Sequence, residues 1–140
     1  MNNYQAYPNN SYFQSINKSN HNTANDLFDP YTGFIHGNMF PKLYDPYKLP
    51  KPYDIQPLNE QAQMLTYIDA LKFATIDLNL YLDVHPDDRD MINLFNQYRV
   101  QLNDMKREYD SRYGPLLLSD DSLTAVPWAW NDRPWPWENK

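Results

Sequence analysis

The sequence predicts an all-α protein: an antiparallel two-helix hairpin flanked by extended Pro/aromatic-rich arms and preceded by a disordered N-terminal tail. Three observations carry this prediction. Apolar residues recur at alternating +4/+3 steps in two blocks, 58–84 and 86–113, which is the spacing of one helix face. The connection between the two is only a few residues, so the helices are antiparallel neighbours. Nearly all of the 12 prolines lie outside the blocks, where their fixed φ and missing N–H oppose regular structure.

Residues 1–25 hold eight Asn and one formally charged side chain, Lys18. Such a composition cannot support a core and predicts a disordered tail. Residues 26–57 hold six Pro, four Tyr and three Phe. They are expected to form an extended arm, with turns at Thr32-Gly33 and His36-Gly37. Its aromatic side chains then need grooves to lie in, on this protein's own helices or on a partner.

In the first helix Met64, Ile68, Leu71, Thr75, Leu78 and Leu82 form one stripe. Phe73, Ile76 and Leu80 form a second stripe on another face, with Asp77 between the two. Asp77 is open to three readings: a buried acid, a cap for a neighbouring backbone group, or a side chain pointing outward. A helix apolar on two sides needs cover on both, and the arms or a partner subunit are expected to supply it.

The second helix is announced by Asp83-Val84-His85-Pro86-Asp87-Asp88. Pro86 suits the first helical position, and Asp87, Asp88 and Asp90 favour the positive end of the helix dipole. Met91, Phe95, Tyr98, Leu102, Met105 and Tyr109 form its apolar stripe. Lys106, Arg107 and Arg112 favour its negative end, and Gly114-Pro115 closes it. Each helix is about 26 residues, or roughly 40 Å, long. A hairpin of that size leaves apolar surface wet unless something covers it.

Residues 58–140 thus comprise the hairpin and a second arm, which ends in the pairs Trp128/Trp130 and Trp135/Trp137. In an extended chain alternate residues share a side, so each pair presents two indoles together. One reading makes them interface anchors. The other folds the arm back, with the indoles covering the hairpin's second stripe. Both hold if the arm is exchanged between subunits.

The formal net charge of −6 opposes a phosphate-binding surface, so no nucleic-acid partner is expected. No apolar run reaches the roughly 18–20 residues that span a bilayer, and no membrane insertion is expected. The N-terminal residues lack a basic n-region and an apolar h-region, so export by a secretory signal is not expected. Without cysteine there are no disulfides, thiolate metal sites or Cys nucleophiles.

Asp83, His85, Asp87 and Asp88 could offer oxygen ligands to a hard cation. A helix start accounts for the same residues without a metal, and none is assigned. His21 and His36 form no HxxxH or ExxH pair. No phosphate loop, nucleophile elbow or catalytic carboxylate pair is evident. The chain is expected to be no enzyme and to carry no cofactor.

Phe73-Ala74, Asp77 through Asp88, Tyr109, Tyr113-Gly114-Pro115-Leu116, Trp128-Ala129-Trp130 and Pro134-Trp135-Pro136-Trp137-Glu138 together resemble the CotJB family of spore coat proteins. The likeness runs from about residue 60 to the end. Gly37 to Tyr47, read as G-x-x-F-P-x-L-Y-x-P-Y, looks like a segment of the companion CotJA coat protein. The tail at 1–25 belongs to neither pattern. The resemblance implies a structural component of the bacterial endospore coat, made in the mother-cell cytoplasm and deposited on the forespore. It implies other spore coat proteins as partners, and it admits a second role as an accessory subunit that recruits or stabilises a manganese catalase. It implies no catalytic or metal residues. Trp128, Trp130, Trp135, Trp137, Tyr44, Tyr47 and Phe40 are the expected contact residues. A homo-oligomer stays open.

Overall fold

The computed structural model describes residues 26–43 and 54–131. The expectations for the tail, for Tyr44 and Tyr47, and for Trp135 and Trp137 fall outside these residues. Among the described residues the structure is helical and has no strand, in keeping with the all-α prediction. Its three α-helices are α1 (Pro30–His36), α2 (Glu60–Val84) and α3 (Arg89–Tyr113). Short 3-10 turns follow at Pro41–Leu43, Asp121–Thr124 and Ala129–Asn131.

The start of α2 is set by Asn59, whose side chain accepts the Ala62 N–H at 2.8 Å. This satisfies one of the amides that a helix start leaves unpaired. The start of α3 is set by Asp88, which accepts the Met91 N–H at 3.2 Å. The second helix therefore begins later than Pro86, and Pro86 lies in the connecting turn. The carboxylate of Asp88 decides the boundary because it is the side chain that reaches the free amides. At the far end Gly114 has φ 99°, a region that favours glycine, and its N–H donates to the Asp110 carbonyl at 3.0 Å.

The start of α2 meets the end of α3. Arg112 pairs with Glu60 at 3.1 Å, and the Gln61 amide donates to the Tyr109 hydroxyl at 2.9 Å. The two helices therefore run antiparallel. Met64, Ile68, Leu71 and Leu78 of α2 join Tyr98, Leu102 and Tyr109 of α3 in one buried cluster. These are residues of the two stripes read from the sequence.

The segment 26–57 differs from its expected extended form, because it contains α1. The cause is local. Asp29 accepts the amides of Tyr31 and Thr32, each at 3.1 Å, and Pro30 occupies the first turn. Pro is at ease there, since its missing N–H would be unpaired in any case. Gly37, at φ 73°, ends the helix in the left-handed conformation. The chain then closes on itself: Phe28 N–H donates to the Met39 carbonyl and Asn38 N–H to the Gly33 carbonyl, both at 3.0 Å. Gly33 is where the closure is tightest. A Cβ there would run into the Met39 sulfur.

This closed unit packs on α2. Met39 is wholly buried, as are Ala70 and Ala74 of α2. The two alanines leave room for a second helix to come close. Asp77 accepts the Met39 N–H at 2.8 Å, so of its three readings the backbone cap is the one observed. The second stripe is split. Phe73 is half-buried and meets Phe34 with ring centroids 6.1 Å apart, whereas Ile76 is 53% and Leu80 60% exposed. Cover therefore extends over one end of the stripe only.

Replacing Asp77 with Ala leaves the buried-side Met39 amide unpaired. The expected loss is about 1–3 kcal/mol in urea denaturation. Asp77→Asn keeps an acceptor and should lose less.

Candidate interaction surfaces

Two features stand out on the described surface: an aromatic node at the α2–α3 turn, and apolar side chains that nothing covers. The node is built from the Leu80-Tyr81-Leu82-Asp83-x-His85-Pro86-Asp87-Asp88 run. One turn of helix separates Tyr81 from His85, which puts both rings on one face. They stack with centroids 4.2 Å apart and planes 9° apart. The His85 Nδ1–H donates to the Tyr81 carbonyl at 3.1 Å, helping to close the end of α2. On the other side Phe40 stacks on Tyr81 at 5.2 Å. The Tyr81 hydroxyl donates to Asp88 at 2.9 Å.

Asp88 thus serves two helices at once, as the cap of α3 and as the anchor of a tyrosine on α2. The Met91 amide first, and the Tyr81 hydroxyl second, hold its carboxyl below the usual carboxylate range. The same hydrogen bond to Asp88 raises the Tyr81 hydroxyl. Asp83, His85, Asp87 and Asp88 do not converge: among the described residues no three His, Asp or Glu side chains group as a metal site would need. Nor does any helix among them have the length and apolar character to cross a membrane.

The apolar surface begins on α2. Ile76, Leu80 and Val84 follow one another at helical spacing and are all exposed. The second part lies beyond α3. Asp110 accepts the Ser122 N–H at 3.1 Å and also bonds the Ser122 hydroxyl, tying the following chain back onto α3. Asp120 accepts the amides of Leu116 and Leu117, each at 2.7 Å. From this anchored segment Val126 and Trp128 stand 97% and 56% exposed.

Of the expected contact residues, Trp128 is therefore exposed and Trp130 half-buried. Phe40 is half-buried in the stack on Tyr81. The structure does not bring Phe40 together with the tryptophans in one patch among the contacts it records. Tyr44, Tyr47, Trp135 and Trp137 lie outside the described residues. Sequence reasoning missed the Tyr81–His85–Asp88 node. Its signal was the Tyr-to-His step of four residues, whereas His85 and Asp88 were read only as part of the start of the second helix.

Two titrations test these contacts. The contribution of Asp88 to stability is fully present above the ordinary carboxylate value of 3.8 and is lost as pH falls through its lower folded value. Asp88→Asn keeps a capping side chain but should flatten that part of the acid dependence in denaturation curves taken from neutral pH downward. Tyr31 and Tyr98 behave oppositely. Burial raises each hydroxyl from 10.0 to about 12, so their contribution is intact below 10.0 and is lost as pH rises through about 12. Alkaline unfolding should therefore coincide with tyrosinate absorbance. Full ionisation before any loss of helix would contradict the burial.

The CotJB protein family model matches residues 62–138, more than half of the chain. The match spans α2 from its third residue, the Tyr81–His85–Asp88 part of the node, α3 and the anchored segment, and it starts after α1. No curated protein matches the chain, and no solved structure does. With this match, the chain belongs to the CotJB family, which associates it with the spore coat.

Proposed function

We propose that this protein is a structural, assembly component of the bacterial endospore coat, working through protein–protein contacts and not through chemistry. The observation that carries the reading is the apolar surface left over once the helices have packed. Ile76, Leu80 and Val84 line the outer side of α2, and Val126 and Trp128 project from a segment held by Asp110 and Asp120. Exposed apolar side chains gathered on a fixed scaffold are characteristic of interaction surfaces, and Trp is the residue most enriched at their centres. In this reading the protein is made in the mother-cell cytoplasm and its tryptophans are the anchors for neighbouring coat proteins. Phe40 stacks on Tyr81 and closes the node.

Ending the chain before Val126 removes all four tryptophans. Coat assembly and capture of coat proteins from sporulating cells should be lost, while helix content is kept. Unchanged assembly would contradict the proposal. Ile76→Asp with Leu80→Asp tests the other surface. Both sites are exposed, so stability should change by no more than about 0.5 kcal/mol per site while partner capture falls. A narrower form of the proposal makes a manganese catalase the partner. Stoichiometric co-elution after co-expression is its expected result, and separate elution would confine the role to the coat scaffold.

A further inference from the structure

We infer that the outward side of α2 makes a two-fold, antiparallel contact with α2 of a second copy of this chain, with Asp69 and Lys72 setting its direction and register. Two sides of α2 are taken within the chain. One joins α3 in the buried cluster, and another carries Ala70 and Ala74 beneath α1 and Met39. On the remaining side Leu65, Asp69, Lys72, Ile76 and Leu80 follow at steps of four, three, four and four residues, which is a single helix face. Leu65 is half-buried and the other four are exposed. The stripe is about 22 Å long.

Charge selects the occupant and its direction. Lys72 is the one basic residue of α2, and Asp69 stands one turn before it. Asp69 is exposed, yet nearby atoms that withhold water raise its carboxyl, and Lys72 acts against that rise. Neither side chain is in an ion pair among the described residues. A two-fold axis running along the helices sets Asp69 against Asp69 and Lys72 against Lys72, and both contacts repel. An axis crossing α2 midway between the two residues reverses this. Each Asp69 then meets Lys72 of the other copy, and the stripe is complementary to itself. The same axis brings Leu65 opposite Ile76 of the other copy and Leu80 beside its Ala62. One register therefore satisfies the charges and the apolar residues together.

Exposed ion pairs add little affinity, and their part here is to reject the wrong direction. Polar residues within an apolar seam do the same in coiled coils, where they fix register at some cost in stability. Affinity comes from covering Ile76 and Leu80, which are 53% and 60% exposed in the single chain. A second copy as occupant rests on the proposed function's reading of these residues as a contact surface. It leaves Val126 and Trp128 available to other coat proteins.

Sedimentation equilibrium of the purified full chain tests this. The unsubstituted chain should pass from monomer to dimer as its concentration rises to the submillimolar range, and monomer throughout overturns the inference. Asp69→Lys and Lys72→Asp, made singly, each turn both attractive contacts into repulsive ones. Both sites are exposed, so helix content should be unchanged while the dimer weakens about tenfold. Mixing the two variants in equal amounts restores both attractive contacts, and dimer should return to the unsubstituted level as the mixed pair. Single variants that dimerise like the unsubstituted chain, or a mixture no more dimeric than its parts, overturn the inference. A stripe that takes a different coat protein leaves the purified chain monomeric, which overturns the second copy and spares the coat reading. The truncation before Val126 tests that reading separately.

Discussion

The structure depends on one constraint: α2 is apolar around more of its circumference than α3 can cover. One side of α2 is taken by Tyr98, Leu102 and Tyr109 of the antiparallel helix. The next side carries Ala70, Phe73 and Ala74, and α1 with Met39 lies against it. Two helices of this size make a thin core, and a third element raises the share of surface that folding buries. Asp77 fixes where that element sits. It places one acceptor in an otherwise apolar stretch, at the point where the Met39 amide arrives. An unpaired amide there would oppose the burial it accompanies, so the hydrogen bond and the packing select the same position.

Carboxylates perform this service throughout the molecule. Asp29 caps α1, Asp88 caps α3, Asp77 holds Met39, Asp110 holds Ser122, and Asp120 holds Leu116 and Leu117. Each accepts at least one backbone N–H in a place where the chain turns or docks. The acidic balance of the sequence is thus partly internal scaffolding. It gives short helices and irregular segments the hydrogen bonds that regular structure supplies elsewhere. In a chain without disulfides these carboxylates tie together segments that a cystine would tie in a secreted domain of this size.

How much of this is legible in the sequence follows from the range of each interaction. The stripe of α3 and the main stripe of α2 are local patterns, and Met64, Leu71, Leu78, Tyr98, Leu102 and Tyr109 are buried as their spacing predicts. The helix at 30–36 was hidden by its proline-rich setting, although Asp29-Pro30 and Gly37 mark its ends in the residue types that begin and end helices. Pro86 carried the same signal, yet Asp88 begins α3, because a capping carboxylate outweighs a fixed φ. The fate of Phe73, Ile76 and Leu80 could not be read locally at all. Phe73 is covered by Phe34, 39 positions earlier in the chain, and Ile76 and Leu80 are not. For the candidate surfaces, the sequence marked Trp128 as a contact residue, and the structure places it exposed on the anchored segment. The node was illegible because the pairing of Tyr81 with Asp88 joins two helices across a turn.

The central claim is that the 26–43 unit completes the core of α2 through Met39 and Asp77. Native-state hydrogen exchange of the full chain tests it most directly. The account predicts that the Met39 amide is protected and exchanges together with the amides around Ala70 and Ala74. Rapid exchange of the Met39 amide while α2 stays protected would contradict it.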